Sequence, residues 1–206
     1  MQLFKVLLVF CLIGSGVMTV VHSSSVPSPT PRDNAGARAA FIDAYKVLMS
    51  PRCLNCHPVG DFPLQGDDSL PHLYRVRRGE DGNGVYSMKC SNCHQAANQR
   101  GMNMPPGAPS LSRNGSLDAT PRWRLPSAKT PMVFQGRTPS QLCRQLKNPT
   151  QNGGMTPERL IVHVATDPLV LWGWNPGEGR TKPPLTHDKF VASVEEWLEK
   201  GGACPK

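Results

Sequence analysis

Cys53-Leu54-Asn55-Cys56-His57 and Cys90-Ser91-Asn92-Cys93-His94 are two copies of one pentapeptide. Each has the form C-x-x-C-H, the attachment signal of a c-type haem. The chemistry explains the spacing. Two thiols three positions apart on one turn can each add to a vinyl group of the same porphyrin. The next residue then sets an imidazole against the iron as proximal axial ligand. One copy could arise by accident. Two copies in one chain point to a dihaem c-type protein, with Cys53, Cys56, Cys90 and Cys93 as anchors and His57 and His94 as proximal ligands.

Zinc is the chief alternative, because C-x-x-C…C-x-x-C also describes a four-thiolate structural site. Here residues 57–89 separate the two pairs, a longer stretch than the usual ribbon loop. Zinc also gives no reason for a histidine directly after both pairs. A disulfide within each C-x-x-C is a third option, and it would close a tight, strained loop.

The start of the chain bears on the compartment. Lys5 precedes an apolar run, Val6 to Val21, softened by Gly14, Ser15 and Gly16 and followed by Ser23 to Ser25. This is the pattern of a secretory signal peptide, residues 1–23, with Cys11 inside it. An uncleaved anchor is the alternative, although the run is short for a full span. No later stretch is long and apolar enough to cross a bilayer. The expectation is therefore an exported or periplasmic protein, where haem attachment and disulfides both occur. Residues 24–34, rich in Ser and Pro, read as a flexible leader, and residues 35–206 as one domain.

Composition fits a domain that needs help with its core. The chain is 38% hydrophobic and 6% aromatic, with 21 Pro and 19 Gly. Many turns and few long elements follow. Two porphyrins would supply apolar surface that the side chains lack. The formal charge of +8 suits docking on an acidic redox partner. Nucleic acid is excluded as a partner class, because the basic residues are scattered and not interleaved with aromatics. Outside the signal segment and the two motifs, Cys143 and Cys204 remain. In an oxidising compartment they are candidates for a disulfide, with two buried free thiols as the alternative.

Periodicity gives a mostly α fold of short helices joined by long Pro/Gly-rich loops around two haems, cytochrome-c-like in class. Ala37, Ala40, Phe41, Ala44, Tyr45 and Leu48 recur at helical spacing and lead into the first motif at Pro51. Ser91 to Ala97 is expected to be a short helix carrying the second motif, and residues 100–137 an irregular loop. Thr138-Pro139, Thr156-Pro157 and Thr186 each read as a helix start. Gly201-Gly202 ends the last helix. No strand pattern stands out.

Each iron can take a second ligand. His163 sits among Leu160, Ile161 and Val164, so it is expected to face apolar surroundings as either a ligand or a hydrogen-bonded core histidine. His72 follows Pro71 in a polar stretch and is either a ligand or an exposed loop residue. His187 opens the last helix beside Asp188 and is expected to be solvated. Met104, before Pro105-Pro106, is the alternative, because methionine–proline segments supply the distal ligand in many small cytochromes c. Met in place of His raises the haem potential.

Longer segments carry a resemblance. They include Cys53 to Pro58, Pro71-His72 with Val76-Arg77-Arg78-Gly79, Lys89 to Gln95, Pro105 to Pro109 and Leu142 to Leu146. They continue with Asn152-Gly153-Gly154, His163, Asp167 to Val170, Trp172-Gly173-Trp174, Pro176-Gly177 and Ala203-Cys204-Pro205. Together these resemble the exported dihaem c-type cytochrome family commonly labelled isoquinoline 1-oxidoreductase subunit. The resemblance implies a periplasmic electron carrier that serves as the acceptor subunit of a molybdenum hydroxylase. It favours His72 and His163 as distal ligands over Met104, since both histidines lie within matching segments. It leaves open which of them serves which haem. Two further classes stay in view. One is a dihaem peroxidase-like enzyme with one open iron, and the other is a zinc-stabilised exported binding module.

Overall fold

Asp33 stands at the start of the first helix described. Its carboxylate accepts from the Gly36 N–H at 2.8 Å and caps helix α1, Asn34–Leu48. Ala37, Ala40, Phe41, Ala44, Val47 and Leu48 form the buried stripe of that helix, at the spacing a single helical face requires. The computed structural model describes residues 32–111 and 117–206, and residues 31–206 form one unit. The expected signal segment and most of the expected leader, up to residue 31, lie outside the described residues. Of the expected leader's last residues, Asp33 caps α1 and Asn34 is its first residue.

The protein is mostly helical. After α1 come α2, Pro51–Leu54; α3, Pro139–Lys147; α4, Pro157–Thr166; α5, Pro168–Leu171; and α6, His187–Glu199. Helices α2 to α5 each begin with proline at the first helical position, where its missing N–H costs nothing. Thr138, Thr156 and Thr186 cap α3, α4 and α6 as the sequence indicates. The cap of α3 is a reciprocal box in which the Thr138 hydroxyl accepts from Gln141 N and the Gln141 side chain accepts from Thr138 N. Thr138→Ala is expected to cost about 1 kcal/mol, measured by denaturant unfolding.

Helix α1 packs along α6, and α4 and α3 close around them. Phe41, Leu142, Phe190, Val194 and Trp197 meet in the resulting core. Phe41 and Trp197 are in aromatic contact, ring centres 4.8 Å apart. A disulfide joins Cys143 of α3 to Cys204 beyond α6. The four motif cysteines are not disulfide-bonded.

Two expectations need correction. The second motif does not sit on a helix spanning Ser91 to Ala97. Only a 3-10 turn, Cys90–Asn92, forms, and Gly101, Pro105 and Pro106 beyond it give no helix-forming continuation. Strands also exist. Three short antiparallel pairs are present: β1, Leu64–Gln65, with β2, Leu70–Pro71; β3, Gly84–Val85, with β4, Met88–Lys89; and β5, Pro109–Leu111, with β6, Leu117–Pro121. Strands this short carry no readable period-two pattern. The β1–β2 turn reaches the first motif, where Gly66 and Asp67 contact Arg52 and Asn55. Among the described residues, no helix is long and apolar enough to cross a membrane.

Candidate functional site

The first motif grows out of α1. Ser50 and Pro51 break that helix and start α2, which carries Cys53 at its third position. Asn55 ends the turn and donates to Gly66 O at 2.8 Å, while Leu64 N donates to Asn55 O at 3.0 Å. Arg52 ion-pairs with Asp67 in the same loop. The pentapeptide is thereby fixed between the helical layer and the β1–β2 hairpin.

Beside it lies a cavity of about 430 Å³. Cys53, Cys56 and His57 line one side, and Phe41, Leu48, Leu160, Val164, Phe190 and Trp197 line much of the rest. His163 and Asp167 line it from α4 and its end. Burial pushes the Cys53 thiol up to about 12 and the Cys56 thiol up to about 11. Both are protonated at neutral pH, unlike the activated thiolates of cysteine enzymes.

The second motif follows the β3–β4 hairpin. Cys90 N donates to Asn83 O at 3.0 Å, and Cys93 N and His94 N both turn back to Cys90 O. Cys90 and His94 are buried, while Cys93 is exposed. The Pro105–Ala108 segment runs behind His94. Gly107 is required there, because a Cβ would stand 2.2 Å from Ala97 O. Its N–H donates to Asn98 Oδ1, which also accepts from Trp172 Nε1 at 3.0 Å.

The histidines show a common geometry. His57 Nδ1 lies 2.7 Å from Met132 O, and His94 Nδ1 lies 2.8 Å from Pro106 O. A carbonyl can only accept, so Nδ1 carries the proton in both. Burial pulls both pKa values down to about 4, so both rings are neutral at pH 7 with the lone pair on Nε2. Second partners of this kind fix tautomer and ring orientation in metal-ligating histidines. Each ring is also held flat by an aromatic neighbour. His57 stacks on Phe134 at 3.9 Å and His94 on Trp123 at 4.6 Å.

The two proposed distal residues obey the same rule. His72 Nδ1 faces Leu73 O at 2.7 Å, and His163 Nδ1 lies 3.4 Å from Asp167 Oδ2. Both therefore leave Nε2 as the unspent nitrogen. His187 does the opposite. Its Nε2 bonds to Val164 O at 2.9 Å and its ring packs against Trp174, so it is a half-buried structural residue and not the solvated helix start expected of it. Asp167 is held at about 2. Burial pushes it up, but the contact with His163, the Leu169 N–H and Arg122 outweigh that push.

The structure brings each of the two further histidines near one motif. His72 and His94 have ring centres 6.0 Å apart. Two imidazoles sharing one metal through bonds of about 2 Å leave their ring centres roughly 6 Å apart. His163 lines the cavity of the first motif with His57. The His72 loop is bent by left-handed residues at Tyr74 and Arg75, with φ of 60° and 47°. The Arg75 and Arg77 guanidinium groups lie 5.7 and 5.3 Å from the Phe62 ring. Met104 does not line the cavity of the first motif. It is partly exposed, absent from the cavity wall, and its carbonyl accepts from Arg180 at 2.8 Å.

A haem has a broad apolar face and two carboxylates, and the residues around the first motif fit both. The cavity wall is largely aliphatic and aromatic. Two of its residues, Arg52 and Trp197, hold a buried N–H without a partner among the described residues, which a carboxylate could accept from. A tetrahedral zinc site fits less well, since no group of three or more His, Cys, Asp or Glu converges among the described residues. Sequence reasoning did not single out Phe134, Trp123 or the carbonyls of Met132 and Pro106. These lie in the irregular 100–137 region, where no periodicity marks a functional side chain. The chain matches no family model, no curated protein and no solved structure.

Proposed function

We propose that this protein is an exported dihaem c-type cytochrome that carries electrons. Cys53 and Cys56 anchor one haem, with His57 and His163 as its axial pair. Cys90 and Cys93 anchor the other, with His94 and His72. The observation that carries this reading is the shared histidine geometry. Four histidines, two in motifs and two outside them, each turn Nδ1 to an oxygen and keep Nε2 unspent, and they fall into one pair per motif.

The haem supplies a one-electron iron couple when bound. The chain's own residues hold, insulate and orient. Backbone carbonyls of Met132 and Pro106 keep the proximal imidazoles in one tautomer. Phe134 and Trp123 limit ring rotation. Two fixed ligands per iron suit a carrier, because little has to move when charge changes. A peroxidase-like enzyme needs an open position with an acid–base group beside it, and a second histidine stands at each site. Exposed Arg75, Arg77, Arg124 and Lys129 lie around the motifs' loops and suit an acidic redox partner. On the family resemblance, that partner is a molybdenum hydroxylase.

The test is a pyridine haemochrome count on the full chain made with a competent haem-ligation system. Two haems per chain are expected, falling to one in Cys56→Ala and one in Cys93→Ala. Stoichiometric zinc without Soret absorption would reject the cytochrome reading.

A further inference from the structure

Three of the four candidate ligand histidines give Nδ1 to a neutral backbone carbonyl: Met132 O, Pro106 O and Leu73 O. His163 alone faces an anion. Its Nδ1 lies 3.4 Å from Asp167 Oδ2. That same oxygen takes Arg122 NH2 at 3.3 Å, and Oδ1 accepts from Leu169 N at 2.9 Å. The Asp167 side chain is only 14% exposed, so solvent screens this arrangement little. The two sites are therefore chemically unequal, although the motifs that build them are nearly identical.

We propose that Asp167 and Arg122 act as an opposed pair of positioning residues that set the reduction potential of the first-motif haem alone, through His163. This rests on the dihaem reading above. A carboxylate behind an axial imidazole makes the ring a stronger donor and favours the oxidised iron, which lowers the potential. Arg122 draws on the same carboxylate oxygen and weakens that effect. Its positive charge also disfavours the oxidised iron directly. Both actions of Arg122 raise the potential, and both actions of Asp167 lower it. Among the described residues, Arg122 Nε is buried without a partner, and the guanidinium engages Asp167 through NH2 at 3.3 Å. At the second site His72 gives its Nδ1 to the carbonyl of its own neighbour instead of to a carboxylate.

Asp167 also caps α5, and asparagine caps as well as aspartate does. Asp167→Asn thus removes the charge and keeps the local fold. The experiment is a spectroelectrochemical titration of the full dihaem chain, wild type, Asp167→Asn and Arg122→Gln, after a haem count. Asp167→Asn is expected to move one of the two midpoint potentials upward and leave the other in place. Arg122→Gln is expected to move that same potential downward. The wave that moves must belong to the haem that His163→Ala opens to carbon monoxide. A purely structural role would loosen the ligand in both variants and shift both the same way, and that result overturns the proposal. So does a shift of both waves together, or of the wave that His163→Ala leaves unchanged. A chain without haem rejects the dihaem reading itself, and the count shows this before any titration.

Discussion

His163→Ala and His72→Ala are each expected to convert a different haem from closed to carbon-monoxide-binding. Wild-type protein, reduced under carbon monoxide, binds none; each single variant binds one per chain and the double variant binds two. The expectation follows from the pairing of ligands. His163 shares the first motif's cavity, and His72 stands 6.0 Å, centre to centre, from His94. Removing either imidazole opens one iron and leaves the other site's ligands untouched. His187→Ala is the internal control, since its Nε2 is spent on Val164 O. Met104→Ala is the second control, and the charge-transfer band of methionine–iron ligation is expected to be absent from wild type. Stoichiometric carbon monoxide binding by wild-type protein would move the assignment from carrier to an enzyme with one open iron. Loss of a methionine–iron band in Met104→Ala would replace one of the two histidines.

The anchors of this site were legible in the sequence because their chemistry is local. Thioether attachment needs two thiols and an imidazole within five residues, so Cys53 to His57 and Cys90 to His94 can be read as candidate anchors without any fold. Helix starts were legible for the same reason, since Thr138, Thr156 and Thr186 act on backbone groups within one turn. What acts across the chain was not. The pairing of His72 with His94 depends on a loop bent by positive φ at Tyr74 and Arg75, residues with no intrinsic preference for that region. Phe134 and Trp123 support their histidines from a stretch dominated by turns, where neither a period of two nor 3.6 exists to mark them. Pro105-Pro106-Gly107-Ala108 drew attention for the methionine before it. Its role in the structure is the Pro106 carbonyl behind His94 and the close approach that only Gly107 permits. The helix expected over Ser91 to Ala97 failed because the segment's hydrogen bonds go outward. Ala108 N takes Gln95 O, and the Gln99 side chain takes Cys93 O.

Cys143→Ser is expected to produce the largest loss of global stability from a single change remote from the motifs. On the dihaem reading, each haem would be attached through two cysteines of the same motif, so it would close only very short loops and remove little entropy from the unfolded chain. The proposed axial bonds to His163 and His72 would close longer loops, but coordination bonds can break on unfolding. The Cys143–Cys204 bond is the covalent link over a long separation, 61 residues. In the chain-entropy model a loop of that length stabilises by roughly 4 kcal/mol. Its position adds to the effect. It ties α3 to the segment beyond α6, and Leu146 of α3 with Phe190, Val194 and Trp197 of α6 form part of the cavity wall. Serine at a position with 0% exposure also leaves a buried hydroxyl to be satisfied. For a domain of this size, 1 kcal/mol moves the melting temperature by roughly 2–4 °C, so a drop on the order of 10 °C follows. Differential scanning calorimetry of the oxidised dihaem protein measures it. Cys204→Ser, which is partly exposed, should lose the entropic share and little else, so Cys143→Ser is the worse of the two. An unchanged melting temperature in both variants would mean that the axial bonds, and not the disulfide, hold the C-terminal helix against the cavity.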